Sequence, residues 1–186
     1  MKPIMVVCAV AGFGVMALSQ AAQGQAAGSP PAGDSTNVVA AEVQGRYAQI
    51  KANVIKAAEK MPPENYSYQP TPDIRTFARV VNHVTEAQTR SCGVMNHVAP
   101  DAMAKPPAET ADKATIVEAL KASFAECDKA YAALTDANLT EMLQAGQAKR
   151  SRIGISWGNV SHDNEQYATL ALYLRLKGLV PPSSEK

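Results

Sequence analysis

Apolar side chains recur at intervals of three and four residues in four separate stretches of the chain. An α-helix has 3.6 residues per turn, so this spacing places the apolar residues on one face of a helix. The first predicted helix runs over residues 38–60, and Pro62-Pro63 ends it because proline cannot continue a helix. Its apolar stripe consists of Val43, Tyr47, Ile50, Val54, Ala57 and Met61.

The second and third predicted helices show the same periodicity. Asp73 follows Pro72 and is the predicted N-cap of the second helix, which runs to about Asn96. Thr110 or Asp112 caps the third helix. The two core stripes are Phe77, Val80, Val81, Val84, Cys92 and Met95, and then Ile116, Ala119, Leu120, Phe124, Cys127, Tyr131 and Leu134.

Two segments between the helices lack a clear helical pattern. Residues 98–111 contain three prolines, which predicts a long loop. In residues 139–152, Leu139, Met142 and Leu143 favour a short helical turn, and the basic run 147–152 favours a loop.

A fourth helix is predicted from Ile155 to Lys177, with Gly178 as its C-terminal cap and Pro181-Pro182 as a stop. Apolar residues surround most of its circumference, which predicts burial on nearly all sides. They are Trp157, Val160, Tyr167, Ala171, Leu172 and Leu174.

One face of the fourth helix is polar. Ile155, His162, Gln166, Thr169 and Tyr173 fall within roughly 60° of each other on a helical wheel. A polar stripe on an otherwise apolar helix is what an interior site in a helix bundle requires.

Four helices and no alternating strand pattern predict an all-α fold, a four-helix bundle over residues 38–182 with a short tail at 183–186. The order of the helices stays open. At 46% hydrophobic and 19% charged residues, the composition is that of one ordinary globular domain.

The first 37 residues differ from the rest. Residues 1–21 combine Lys2, an apolar run and the small residues Ser19 and Ala21, which predicts a cleaved signal peptide and a secreted or periplasmic protein. An uncleaved membrane anchor is the alternative, but the apolar run is shorter than the ~20 residues of a membrane span. Residues 22–37 are rich in Ala, Gln, Gly, Ser and Pro and predict a disordered leader.

The charge balance argues against nucleic acid as a partner. The chain has 18 Lys and Arg and 17 Asp and Glu; removal of residues 1–21 takes away Lys2 alone and leaves 17 of each sign. No basic stripe interrupts this neutrality. After signal cleavage no segment is apolar enough to span a membrane stably.

Cys92 and Cys127 remain in the mature chain. In an exported protein they can form a disulfide, but they are also compatible with inert core residues. A bridge between them requires the second and third helices to be parallel, whereas an ion shared by His83 and His162 most simply requires the second and fourth to be parallel. Both conditions cannot hold in a bundle whose neighbours all alternate in direction.

Several short motifs in a fixed order resemble the DinB/YfiT-like superfamily. The resemblance covers about 140 residues, and the order and spacing of the motifs carry it. They are residues 60–68 (KMPPENYSY), 75–77 (RTF), 81–84 (VNHV), 162–167 (HDNEQY) and 173–182 (YLRLKGLVPP).

This resemblance implies a four-helix bundle whose connections need not follow simple up-and-down order. It also implies a divalent metal, nickel or zinc, held by a histidine on the second helix and a His-x-x-x-His pair on the last. His83 and His162 match the first two ligands, but Gln166 stands where the third histidine is expected. Better-understood relatives are thiol-dependent transferases and isomerases, so a small-molecule substrate or thiol is implied. A homodimer is compatible with the pattern.

Gln166 weakens the implied site, because an amide oxygen is a harder and poorer ligand for nickel or zinc than an imidazole nitrogen. Glu86 and Glu165 each follow a histidine by three residues, so their carboxylates can reach a shared ion or support its ligands, as can Tyr173. The simpler interpretation of both glutamates is a solvated helix surface. His97 lies 14 residues after His83, or ~21 Å along a helix, too far to share an ion.

Two functions follow as hypotheses. The first is an exported DinB-like enzyme that uses a divalent metal between the second and fourth helices, as a thiol-dependent transferase or a hydrolase-type enzyme. The second is a non-catalytic bundle whose weakened site binds a small polar ligand or serves only the structure. No serine or cysteine has the sequence context of a catalytic nucleophile, so the sequence assigns no catalytic residue.

Overall fold

The computed structural model describes residues 37–186. The predicted signal peptide and all of the predicted leader except Asn37 lie outside these residues. None of the described helices is long and apolar enough to cross a membrane. The elements are α1 (Val38–Lys60), α2 (Phe77–Met95), α3 (Lys113–Ala132), β1 (Met142–Ala145), β2 (Ala148–Ser151) and α4 (Arg152–Leu176).

Side chains cap the N-termini of α2, α3 and α4, whereas Asn37 before α1 makes no side-chain cap hydrogen bond. One of the three caps differs from the prediction. Asp112 caps α3, accepting a hydrogen bond from the Thr115 backbone N–H at 2.9 Å. The predicted cap of α2, Asp73, is wrong: Thr76 caps this helix by accepting from Arg79 N at 3.0 Å. Asp73 instead lies inside a turn that Ile74 N closes onto Thr71 O, which separates it from the helix start.

The segment predicted as a helical turn and a basic loop is an antiparallel hairpin, so that prediction is wrong. Leu143 pairs with Arg150, and the strands are joined by the two residues Gly146 and Gln147. Gly146 has a φ of 63°, which suits the first central position of a tight hairpin turn. Leu143 is buried while most of the strand residues are exposed, so the short strands offered little apolar periodicity.

α4 begins at Arg152, three residues earlier than predicted, and Ser151 caps it. The expected burial on nearly all sides is also wrong, because the side chains of Trp157 and Leu172 are about half exposed, at 53% and 52%. The predicted C-terminal cap is confirmed. Gly178 has a φ of 74°, and the next residue returns its N–H to the carbonyl of Leu174 at 2.9 Å.

α2 lies between α3 and α4. Side-chain contacts at both ends define the directions. The α2 cap residue Thr76 donates to Glu109, just before α3, and the two helices are bridged near their C-terminal ends, so they are parallel. The end of α4 reaches the start of α2, where the Tyr173 hydroxyl donates to Arg75 O at 2.7 Å. α2 and α4 are therefore antiparallel.

α1 packs against α3 and α4 and runs antiparallel to α3. Near its start, Ala40 N donates to Asp136 just after α3; near its end, Glu59 O accepts from Lys113 at the start of α3. Since α2 and α3 are parallel, residues 96–112 must return along the length of the bundle. This connection runs beside α2, where Asn82 Nδ2 donates to Pro107 O at 2.9 Å.

The all-α four-helix bundle is confirmed. Its helix order also resolves the conflict between the Cys92–Cys127 bridge and a site shared by His83 and His162. The neighbours do not alternate: α2 is parallel to α3, and α1 is parallel to α4. The inference that a shared site requires α2 and α4 to be parallel was wrong. His83 and His162 both lie well inside their helices, so antiparallel packing also brings them to the same height.

Cys92 and Cys127 form a disulfide in the interior of the bundle, where both residues are fully buried. The bond joins α2 to α3 across a sequence separation of 35 residues. It therefore closes a loop that contains the whole connection between these two parallel helices.

Replacement of both cysteines by alanine should lower the free energy of unfolding by about 4 kcal/mol, the loop-closure value for a loop of this length. Denaturant unfolding followed by circular dichroism measures the loss. Wild-type protein unfolded under reducing conditions provides the matched comparison and should lose a similar amount. Unchanged stability in both experiments would contradict a bridge that constrains the unfolded chain.

Candidate metal centre

Two histidines meet between the antiparallel helices α2 and α4. The Nε2 atoms of His83 and His162 are 3.2 Å apart, and the ring planes are inclined at 71°. The two side chains retain 21% and 25% of their exposure, so the pair is neither sealed in the core nor free in solvent. The structure thus brings together the two histidines that the sequence singled out.

The outer nitrogen of His83 faces a carboxylate on its own helix. Its Nδ1 lies 3.3 Å from Oε2 of Glu86. The two terminal nitrogens of Arg79 also donate to this carboxylate, one to each oxygen, at 3.0 and 3.2 Å. Partial burial acts to raise the pKa of Glu86, but Arg79 and His83 hold it below its ordinary value. Glu86 is therefore an ionised acceptor, which favours the tautomer of His83 that carries its proton on Nδ1.

Partial burial also lowers the pKa of His83, although the neighbouring carboxylate of Glu86 offsets part of this effect. A neutral ring with a proton on Nδ1 leaves the lone pair on Nε2. The free lone pair of His83 consequently points toward His162.

Asp163 lies fully buried beside His162, in the core between α2 and α4. One of its oxygens accepts a hydrogen bond from Gln88 Nε2 on α2, and burial raises its pKa. The amide oxygen of Gln88 in turn accepts from Asn159 Nδ2 at 3.0 Å, which also contacts the Tyr131 hydroxyl at 3.3 Å. A connected polar network thus lies next to the histidine pair inside an apolar core.

The other oxygen of Asp163, Oδ1, is 3.7 Å from Nδ1 of His162, and neither atom has a hydrogen-bond partner among residues 37–186. A proton on Nδ1 of His162 would satisfy this contact, but the Nε2 lone pairs of His83 and His162 would then face each other. A proton on Nε2 would bridge to His83 but leave a lone pair facing a carboxylate. An added proton on the pair, or a metal ion bound between the two Nε2 atoms, would satisfy all of these atoms.

A transition metal fits the space between the two rings. Zinc–imidazole bonds are about 2.0–2.1 Å long, so two nitrogens at tetrahedral positions on one ion lie about 3.3 Å apart. The separation between the Nε2 atoms here is 3.2 Å. In addition, each Nδ1 faces a carboxylate, the arrangement that usually orients a metal-binding histidine.

The other residues that the sequence predicted for this site make no hydrogen bond to the histidine pair in the described part of the chain. Gln166 is half-buried one turn after His162, and its side chain makes no hydrogen bond within residues 37–186. Glu165 is exposed. The hydroxyl of Tyr173 is engaged by the Arg75 carbonyl. Within this part of the chain, no group of three His, Cys, Asp or Glu side chains is arranged around a common ion.

Sequence reasoning missed the roles of Asp163 and Gln88, although both left a signal. Asp163 occupies the core stripe of α4, at helical spacing with Asn159, Tyr167 and Leu170. A carboxylate at a core position indicates a buried charge that needs a partner. The partner, Gln88, is 75 residues away and cannot be found from local spacing.

These features define a class: four-helix bundles with two parallel helix pairs and a histidine site between the second and fourth helices. The chain belongs to the DinB superfamily, whose family model matches residues 46–170. This confirms the resemblance found in the sequence. Members of this superfamily generally bind metals.

Solved structures have the same fold. A DinB-like protein from Bacillus cereus is 15% identical, with a TM-score of 0.62 over 75% of this chain and 93% of its own. A second DinB-like protein, from Bacillus subtilis, is 16% identical, with a TM-score of 0.61 over 74% and 92% of the two chains. No curated protein matches the sequence.

The Gln88→Leu substitution should lower the free energy of unfolding by about 3 kcal/mol at neutral pH, since it removes the hydrogen bond to a buried carboxylate. Loss of this donor raises the pKa of Asp163 further. The folded variant then binds a proton on Asp163 at a higher pH than the folded wild type does, so the deficit should shrink as the pH falls through the pKa of Asp163 in the variant toward its pKa in the wild type. Chemical unfolding at several pH values measures both effects.

Gln44→Leu is the matched control, because Gln44 also donates between helices but only to backbone carbonyls. Its deficit should not depend on the ionisation of an acid. Adding Asp163→Asn to Gln88→Leu should remove the pH dependence. If the deficit of Gln88→Leu stays constant with pH in the presence of Asp163, the buried carboxylate is not its cause.

Proposed function

We propose that this protein is an exported, metal-dependent enzyme of the DinB superfamily that binds one divalent ion, nickel or zinc, between α2 and α4. One observation carries the proposal: the two Nε2 atoms of His83 and His162 face each other at 3.2 Å while each Nδ1 faces a carboxylate. His83 and His162 are the proposed ligands. Gln166 is the proposed third ligand, one helical turn from His162.

The chemistry proposed for this site is a thiol-dependent transfer or a hydrolysis on a small molecule. A bound divalent ion would polarise a carbonyl or lower the pKa of a thiol or water. The chain's own contribution is orientation: Glu86 fixes the ring of His83, and Asp163 lies where it can fix the ring of His162. Arg79 keeps Glu86 ionised and so maintains the first of these contacts.

Export is supported by two independent features. The first 21 residues have the composition of a cleaved signal peptide. A disulfide such as Cys92–Cys127 persists in the oxidising environments of the periplasm and the extracellular space. We therefore propose that the site lies outside the cytoplasm.

A second candidate function is favoured by Gln166. This amide stands where the family resemblance implies a third histidine, and only two imidazoles meet between α2 and α4 among the described residues. With an extra proton in place of a metal, the same pair would hold a small polar ligand without catalysis. The two candidates differ in one measurable property, which is metal affinity.

Isothermal titration of metal-free protein with zinc or nickel should give one site per chain. His83→Ala should weaken binding by more than about 100-fold, because it removes a ligand. Loss of a residue that only hydrogen-bonds to a ligand already costs about 10- to 100-fold. Gln166→His should tighten binding, because an imidazole replaces a weaker amide.

His97→Ala is the control for these variants, because His97 is exposed and lies beyond the end of α2. It should bind metal like the wild type. Equal metal affinity for the wild type and His83→Ala would refute the metal-dependent function and favour the non-catalytic candidate. No change on Gln166→His would exclude this position as a ligand.

Expression of the full chain with secretion should yield a mature protein that begins at Ala22. Intact-mass spectrometry measures the N-terminus, and thiol titration under denaturing conditions should find Cys92 and Cys127 oxidised. A protein that retains Met1 in the membrane fraction would instead support the uncleaved anchor.

A further inference from the structure

A groove of about 550 Å³ opens beside the histidine pair, and neither family membership nor the proposed metal ligands account for it. Its walls come from α2, the start of α4 and the β-hairpin. This volume is within the range of small-molecule sites, about 300–1,000 Å³. The lining residues of the groove include Arg90, Arg150, Gly158, Asn159 and His162.

The groove is positively charged. Arg90 projects from α2 and Arg150 from β2, and neither makes an ion pair or side-chain hydrogen bond within residues 37–186. Nor does any Asp or Glu line this groove among those residues. By contrast, Arg79 and Arg152 are each held by a glutamate. Two guanidinium groups that share one groove without a counter-charge are suited to bind an oxyanion.

The floor of the groove supplies polar groups toward the histidine pair. Asn159 lies there, only 3% exposed, and its Oδ1 has no hydrogen-bond partner within the described part of the chain. His162 lines the same groove. An occupant held at its charged end by the arginines therefore extends toward the proposed metal ligand.

We infer that this groove binds a small organic molecule through a terminal carboxylate or phosphate, with Arg90 and Arg150 as the anion-binding residues. The rest of the molecule lies along α4 and ends at His162. The inference rests on the proposed function, since it supplies the substrate class for the proposed metal site. The anion-binding step itself needs no metal and is tested without one.

Gly158 offers a way to close the groove without disturbing the fold. A Cβ added at Gly158 meets no atom within 4 Å, so the side chain of a Gly158→Leu variant enters open space. Replacing a glycine inside a helix also favours the helix. Gly45→Leu on α1 is the matched control, because Gly45 is also helical and exposed and has open space around it.

The test is a titration of metal-free protein with succinate, glycerol phosphate and neutral succinamide, followed by NMR shifts or calorimetry. Succinate, glycerol phosphate or both should bind, and succinamide should bind at least tenfold more weakly. The succinate and glycerol phosphate arms distinguish a carboxylate from a phosphate headgroup. Arg90→Gln, Arg150→Gln and Gly158→Leu should each weaken anion binding about tenfold or more.

Arg46→Gln on α1 and Gly45→Leu should leave anion binding unchanged, and no variant should melt below the wild type. The inference would be overturned if succinate and succinamide bind equally, if neither succinate nor glycerol phosphate binds, or if Arg46→Gln loses as much anion binding as the groove variants. The zinc affinity of Arg90→Gln should match the wild type. Anion binding without metal binding would refute the proposed function alone, and metal binding without anion binding would refute this inference alone.

Discussion

The arrangement of α2 against α4 depends on the burial of one carboxylate. Asp163 lies fully inside the bundle, where a charge without partners is very costly. Gln88 reaches it from the facing helix, and His162 adjoins it along the chain. Sliding α4 by one helical turn would separate Asp163 from Gln88 and leave the carboxylate without that hydrogen bond. The same interaction therefore sets the register at which His83 and His162 meet.

The two histidines face carboxylates of different character. Glu86 is partly exposed and kept ionised by Arg79, whereas Asp163 is buried and its pKa is raised. One side of the pair is consequently a stable hydrogen-bond acceptor, and the other has unsatisfied atoms that an added cation would complete. The proposed metal site depends on this asymmetry, which distinguishes the pair from an ordinary contact between two histidines.

The bundle is built from two parallel helix pairs, and this order requires a connection that returns along its whole length. The disulfide joins the two helices that this connection links. The hairpin between α3 and α4 has a different role. It adds little to the core but forms one wall of the groove beside His162 and carries Arg150 there. The segment with the weakest sequence pattern thus contributes directly to the surroundings of the site.

The sequence determined the four helices and the bundle class through periodicity, and the Gly178 cap through the glycine and prolines after the last helix, because each depends on residues within a few positions of one another. It left the cap of α3 open between Thr110 and Asp112. It also singled out His83, His162 and Gln166, through motifs that resemble a family. Only the tertiary structure decided the directions of the helices, the hairpin and the pairing of Gln88 with Asp163. Those features depend on contacts between residues far apart in the chain. Local spacing carries no information about which buried donor will meet which buried acceptor.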